Sequence, residues 1–184
     1  MILLDKQPSK FPNFLQGFVL SFCVFNPSLV QTPLEVPDEQ GLLQVYHIQS
    51  EKKCAVEALW YETRGESTKG MQAVLEVINN RKNAKGFPST ICGVVEQPKQ
   101  FSYRDGFKQG IRLDVKPYNA LEKKAHTKVL SVVDQVFKGR YKPLVKEEVL
   151  WYTKTDVKTK WMKRMKVQAV IDSHKFMSLK GEKV

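Results

Sequence analysis

The chain has 184 residues, of which 42% are hydrophobic, and this is enough to bury the core of one domain. No segment has the fixed period of a repeat protein. The chain has 30 Lys and Arg residues and 19 Asp and Glu residues, so its net charge is +11. The sequence contains neither a Cys/His cluster with metal-ligand spacing nor a glycine-rich phosphate loop. It therefore predicts no metal site and no nucleotide or other cofactor.

The N-terminal segment, residues 1–45, is expected to be separate from a catalytic domain at residues 46–184. Two lysines precede an apolar run at residues 14–25, as in a secretory signal or a signal-anchor. Twelve residues are too short to span a bilayer comfortably as a helix. One interpretation is membrane contact through this run, and the other is an amphipathic element packed on the domain. Residues 31–40, which contain two prolines, are interpreted as a linker or extended arm.

An apolar helical stretch then ends in an acidic residue. Ala55, Ala58 and Leu59 recur at helical spacing, so Glu62 should lie at the rim of a buried face. Partial desolvation would raise the pKa of this carboxyl group and make it a suitable general acid. The alternative is an ordinary solvated helix end in which Arg64 forms an ion pair.

Further elements follow in chain order. The periodicity of apolar residues predicts a second helix after Ser67-Thr68 and a third over Pro117–Phe137, whereas β-rich segments occur near residues 149–153, 167–171 and 175–179. We predict an α+β fold, mainly α, in which a short β-hairpin near the C-terminus closes one side of a cleft. The apolar positions expected to be buried are Met71, Val74, Leu75 and Ile78 in the second helix and Leu121, Ala125, Val129, Val132, Val133 and Val136 in the third.

Several motifs stand in a fixed order along the chain. They are Glu62-Thr63-Arg64-Gly65-Glu66, Ala73-Val74 with Val77-Ile78 and Asn80-Arg81, Phe87-Pro88 with Gly93-Val94-Val95, Gln97 to Gly106, Leu150-Trp151-Tyr152 with Trp161, and Ile171 to Met177. This order resembles the SleB-type cell-wall hydrolases, which include spore-cortex lytic enzymes and phage lysins, over roughly residues 50 to 179. Two departures occur: Asp172-Ser173 replaces Gly-Asn before the closing histidine, and Met177 replaces an aromatic residue.

The resemblance implies a lysozyme-like domain of the goose-type or lytic-transglycosylase kind. It also implies cleavage between N-acetylmuramic acid and N-acetylglucosamine, with Glu62 at the family's catalytic position. A glycosidase normally needs two carboxylates, whereas a lytic transglycosylase uses the sugar's own 6-hydroxyl and one glutamate. Glu66, Glu76 and Asp105 are candidate second carboxylates, so both mechanisms remain open. Glu66 is alternatively a helix-end charge, and Asp105 before glycine is alternatively a turn residue.

The segment around residue 101 combines amide, hydroxyl and aromatic side chains, which suit the polar edges and apolar faces of a sugar. We expect Gln100, Ser102 and Tyr103 to face substrate while Phe101 packs inward. His174 is expected at the site from its place in the family pattern, although a lone histidine in a hairpin is alternatively a surface residue.

The last third of the chain is basic and aromatic. Its residues are Lys154, Lys158, Lys160, Lys163, Arg164 and Lys166 around Trp151, Tyr152 and Trp161. Such a mixture suits nucleic acid, but it suits the anionic bacterial envelope equally, and the aromatic residues already belong to the wall-hydrolase pattern. Nucleic-acid binding is therefore the less favoured alternative. A third hypothesis is that the chain is a non-catalytic wall-binding or virion structural protein.

Cysteine usage leaves the compartment open. Cys23, Cys54 and Cys92 are an odd number, so Cys54 and Cys92 either pair in an oxidising space or remain buried thiols. We expect a monomer. From the resemblance we expect it to act on peptidoglycan glycan strands and to be encoded by a bacterium or a phage. The expected location is the bacterial envelope, periplasm or exterior, or the host periplasm or virion if a phage encodes it.

Overall fold

The computed structural model describes residues 37–181. This part of the chain contains four α-helices, two short 3₁₀ turns and one three-stranded antiparallel sheet. The prediction of an α+β, mainly α fold is therefore confirmed. The helices are α1 (Glu39–Thr63), α2 (Thr68–Asn83), α3 (Ile91–Val95) and α4 (Ala120–Phe137), and the strands are β1 (Trp151–Lys154), β2 (Met165–Ile171) and β3 (His174–Leu179).

Helix α1 begins earlier than the sequence suggested. Asp38 caps it by accepting a hydrogen bond of 2.8 Å from the backbone N–H of Gly41. The last two residues of the predicted linker at 31–40 are therefore helical, and the proposed boundary after residue 45 falls inside α1. Glu51 is the first buried residue of this helix.

The apolar run at residues 14–25, with its predicted membrane contact, lies outside the described residues. Between residues 37 and 181, no helix is long and apolar enough to cross a membrane.

The core lies between α1, α2, α3 and the inner face of α4. All four apolar positions predicted for α2 are fully buried, and three of the six predicted for α4 are buried, namely Val129, Val132 and Val133. Ala125 and Val136 are half-buried, and Leu121 is 80% exposed. The buried part of α4 begins only at Val129, about two turns later, so the predicted stripe was too long at its start.

The sheet places its strands in the order β1-β3-β2. The predicted hairpin is present as β2 and β3, and β1 adds a third strand on the other side of β3. In that pairing Tyr152 lies opposite Phe176 and Lys154 lies opposite His174. Because side chains alternate along a strand, Tyr152 and Lys154 share one face with His174.

A disulfide between Cys54 and Cys92 joins α1 to α3, so the free-thiol interpretation does not hold for these two residues. Next to it, the carboxylate of Glu51 accepts a hydrogen bond of 2.6 Å from the backbone N–H of Ile91 and one of 3.3 Å from that of Cys92. A carboxylate at this end of a helix satisfies N–H groups that have no partner within the helix. One covalent and two polar links therefore hold α3 against α1.

Candidate active site

A polar cleft of about 430 Å³ lies where the end of α1 meets strands β1 and β3 and the segment after α3. Its lining is mainly polar, and its volume is large enough to hold part of a polar ligand. The cleft is lined by Tyr61, Glu62, Arg81, Lys99, Gln100, Ser102, Asp105, Tyr152, Thr153, Lys154 and His174.

Glu62 lies in the last turn of α1, at the rim of the buried face, as its spacing predicted. Burial raises the pKa of its carboxyl group, while the Tyr152 hydroxyl and the charge of Lys154 act in the opposite direction. The hydroxyl of Tyr152 donates a hydrogen bond of 3.4 Å to Oε2 of Glu62. A half-buried carboxyl group with a raised pKa holds its proton to higher pH than an exposed one, so it can act as an acid.

Tyr152 was not predicted as a site residue. Burial and the neighbouring Glu62 raise its pKa well above 10, so its hydroxyl keeps its proton and remains a donor. The sequence does contain a pattern that indicates a shared position for Tyr152 and Lys154, because alternation along a strand puts both side chains on the same face. Both residues line the cleft.

His174 is buried and lines the cleft. Burial lowers its pKa below the usual value, and the charge of Glu66 only partly opposes this, so the imidazole is neutral near pH 7. Its Nδ1 lies 3.8 Å from a Glu66 oxygen and 3.4 Å from Oγ of Ser173. Both contacts lie at one edge of the ring. Because the His174 side chain is only 3% exposed, it is not a surface residue.

Glu66 itself is not among the cleft-lining residues. Its carboxylate accepts hydrogen bonds from the backbone N–H and the hydroxyl of Ser173, in the β2–β3 turn. The preceding residue of that turn, Asp172, accepts one of 2.9 Å from the backbone N–H of Ser67, the N-cap of α2. The turn is thus fastened to the start of α2 by two separate side chains.

The segment after α3 divides between core and cleft. Phe101 is 1% exposed and packs inward, whereas Gln100 and Ser102 line the cleft, as predicted for each. Tyr103 differs from the prediction. It is not among the residues that line the cleft but stacks on Tyr61 with ring centroids 4.6 Å apart, and Tyr61 is one of the lining residues.

A buried ion pair holds this segment in place. Nη1 of Arg104 donates to Oε1 of Glu57 at 2.8 Å, and to the carbonyl oxygen of Ile111 at the same distance. The other Glu57 oxygen accepts from the backbone N–H of Leu113 at 3.1 Å. Both charged side chains are almost completely buried, so the pair needs each of these contacts. Sequence inspection missed Glu57, because its partner lies far along the chain.

Three cations line the cleft, and none was predicted as a site residue. They are Arg81, Lys99 and Lys154. Arg81 stands within the Asn-Arg motif, and its Nε donates a hydrogen bond of 2.7 Å to the carbonyl oxygen of Leu150. No group of three metal-ligating side chains occurs in the part of the chain that the structure describes. The cleft is therefore cationic and polar, with Glu62 as its half-buried acid.

Comparison with known proteins supplies the family. The sequence profile described as Cell Wall Hydrolase matches residues 65–177, more than half of the chain. The chain belongs to the Cell Wall Hydrolase family. The match begins three residues after Glu62, so the assignment of that residue depends on the geometry of the cleft.

Two solved structures resemble this family member along most of their length. The catalytic domain of Bacillus cereus SleB is 27% identical, with a TM-score of 0.50, covering 71% of this chain and 91% of that one. The catalytic domain of the germination-specific lytic transglycosylase SleB from Bacillus anthracis is 26% identical, with a TM-score of 0.51, covering 71% and 95%. None of the curated proteins compared with the chain matches it significantly.

The candidate second carboxylates of this cell wall hydrolase occupy different environments. Asp105 lines the cleft and also precedes Gly106, whose positive φ of 91° forms the expected turn. Glu66 is bound to Ser173, as described above. Glu76 is buried and accepts hydrogen bonds of 2.9 Å from the backbone N–H groups of Leu144 and Val145. Of the three, only Asp105 faces the cleft.

Proposed function

We propose that this protein degrades peptidoglycan by cleaving the glycan strand between N-acetylmuramic acid and N-acetylglucosamine, with Glu62 as general acid and base. The observation that carries the proposal is the half-buried Glu62 carboxyl group, with its raised pKa, in a polar cleft. Membership of the Cell Wall Hydrolase family supports the substrate class.

The proposed reaction is that of a lytic transglycosylase. Glu62 donates its proton to the glycosidic oxygen as the bond to C1 of the muramic acid breaks, which releases the N-acetylglucosamine hydroxyl. The 6-hydroxyl of the same muramic acid then attacks C1, and Glu62 takes up its proton. The products are a new free hydroxyl end and a 1,6-anhydro end, and Glu62 is protonated again. No water is consumed, so no second carboxylate is required.

Two observations favour this single-carboxylate route. Glu66 and Glu76 are engaged by hydrogen bonds from other parts of the chain, which leaves neither free in the cleft. One structural relative is a lytic transglycosylase. Asp105, which does face the cleft, favours the second candidate function, a muramidase in which a second carboxylate acts as nucleophile or activates water.

We further propose that the protein acts outside the cytosol. The Cys54–Cys92 disulfide supports this, because such bonds form and persist in the periplasm and outside the cell rather than in a reducing cytosol.

The test is mass spectrometry of glycan fragments released from purified peptidoglycan. We expect 1,6-anhydro-muramic ends from the wild-type protein and at least about a hundredfold slower release by Glu62→Gln, which keeps the shape but loses the transferable proton. Glu39→Gln, in the exposed first turn of α1, is a matched control and should release fragments at the wild-type rate.

Other outcomes point to other functions. Reducing muramic ends, together with a large loss in Asp105→Asn, would establish a muramidase. Equal rates for wild type and Glu62→Gln would remove Glu62 from the mechanism. If the folded wild-type protein released no fragments, the non-catalytic wall-binding and nucleic-acid alternatives would take precedence, and the salt dependence of DNA affinity would separate them.

A further inference from the structure

A second cavity lies beside the cleft and is larger, at about 600 Å³. The proposed reaction does not use it. It is formed by the C-terminal half of α2 and by the segment that leads into β1. Its lining consists of Glu76, Asn79, Asn80, Asn83, Ala84, Lys85, Tyr141, Pro143, Val145, Glu147, Glu148 and Leu150. We call it the α2 pocket.

The α2 pocket and the catalytic cleft share a wall. On α2, Arg81 lines the cleft while its neighbour Asn80 lines the α2 pocket. On the segment leading into β1, Leu150 lines the α2 pocket while Tyr152 lines the cleft. The hydrogen bond from Arg81 Nε to the carbonyl oxygen of Leu150 joins these two segments. The two cavities therefore lie on either side of this link.

The pocket is already formed without a ligand. Besides the two Glu76 contacts described above, the side-chain amide of Asn80 donates to the carbonyl oxygens of Lys146 at 2.9 Å and Val149 at 3.2 Å. These bonds fix the segment that forms the outer wall. They also engage the Glu76 carboxylate and the N–H groups of the Asn80 amide, so neither of these groups is available to a ligand.

Other polar groups in the pocket remain free. Within residues 37–181, the side chains of Asn79, Asn83 and Tyr141 make no hydrogen bond. Glu147 has no ion-pair partner in the same range, Glu148 has only a distant one in Lys146 at 3.9 Å, and Lys85 also lines the pocket. Free amides are suited to pairing with peptide groups, and charges of both signs are suited to a ligand that carries an amine and a carboxylate.

We propose that the α2 pocket binds the short peptide stem that branches from the lactyl group of the muramic acid, with the free amine of the stem near Glu147 and Glu148. This inference rests on the proposed function, because it takes peptidoglycan as the substrate. An N-acetylated sugar has no net charge and makes poor use of the charged groups here. The stem peptide offers amide groups along its backbone and ionised groups of both signs.

The experiment compares two substrates made from one preparation, intact peptidoglycan and the same glycan strands after an amidase has removed the stems. The readout is the ratio of kcat/KM on intact to stripped strands. We expect this ratio to exceed one for the wild type and to fall about tenfold in Glu147→Gln/Glu148→Gln, as loss of a charged contact predicts. The matched control Asp114→Asn/Asp156→Asn removes two exposed carboxylates elsewhere and should keep the wild-type ratio.

The outcomes separate this inference from the proposed function. An unchanged ratio in the Glu147→Gln/Glu148→Gln variant, or an equal loss on both substrates, would overturn peptide binding, and the equal loss would indicate that the pocket holds sugar. A wild-type protein inactive on both substrates would count against the proposed function alone. In that case NMR titration with the isolated stem tetrapeptide decides, because the proposal requires shifts of the Asn79 and Asn83 side-chain amides.

Discussion

The hydroxyl of Tyr152 on strand β1 donates a hydrogen bond to Glu62 at the end of helix α1, although the two residues are 90 positions apart in the sequence. The contact joins the sheet to the helical part of the domain at the position where we place the acid. Burial raises the pKa of Glu62, and this hydrogen bond limits the rise because it stabilises the ionised carboxylate. Tyr152 on the sheet therefore affects how readily Glu62 on helix α1 gives up its proton.

Replacement of Tyr152 by Phe should raise the pKa of Glu62 further, because the stabilising donor is lost while burial remains. The acid must be protonated to start the reaction, so activity declines as the pH rises through its pKa. We expect the alkaline limb of the pH–rate profile to move to higher pH, with a smaller loss at the optimum than in Glu62→Gln. The measurement is the initial rate of fragment release across pH. An alkaline limb that stays in place or moves to lower pH would contradict the role of Tyr152.

Glu62→Gln should also change how stability depends on pH. A carboxyl group whose pKa is higher in the folded than in the unfolded state contributes stability below its unfolded pKa, near 4.5, and loses it as the pH rises through the folded pKa. The Gln variant has no such loss. Relative to wild type, its free energy of unfolding should therefore be higher, meaning that the variant is more stable, at pH 8 than at pH 4. Urea unfolding at the two pH values tests this, and an equal difference at both would show that Glu62 is not desolvated.

Local patterns predicted the parts of the fold that depend on neighbouring residues. Helical spacing identified the buried face of α2 and placed Glu62 at the rim of α1, since both follow from the 3.6-residue period. The same holds for Phe101, whose inward position follows from its polar neighbours on either side. In each case the information lies within a few residues of the position concerned.

Contacts between distant segments were not predictable in this way. The sequence alone does not reveal that Tyr61 takes the cleft position expected of Tyr103, because the two rings stack only when α1 and the segment after α3 meet. Nor does it reveal the pairing of Glu57 with Arg104, 47 residues apart. The same applies to Asp172 and Ser173, which depart from the family pattern. Both bind the loop before α2, and the sequence alone does not reveal these contacts.

Removal of the disulfide should destabilise the domain substantially. The bond closes a loop with a sequence separation of 38, and the chain-entropy relation gives about 4 kcal/mol for a loop of that length. Urea unfolding of Cys54→Ala/Cys92→Ala should show about this loss, and a reducing agent should lower the stability of the wild type but not of the variant. If the reducing agent affects both proteins equally, the loss does not come from this bond.

The buried pair of Arg104 and Glu57 should behave differently when one or both charges are removed. Arg104→Met leaves the Glu57 carboxylate buried without its cation, which should cost about 3–5 kcal/mol. In Glu57→Gln/Arg104→Met neither charge of the pair remains, and the Gln oxygen can still accept from the backbone N–H of Leu113, so most of this loss should be recovered. Urea unfolding of wild type, both single variants and the double variant gives the coupling energy.

Arg104→Lys is a second control, because it keeps the charge but loses the forked geometry. Its free energy of unfolding should fall between those of wild type and Arg104→Met. A double variant no more stable than Arg104→Met would mean that the Arg104 side chain stabilises the segment by packing rather than by compensating the Glu57 charge.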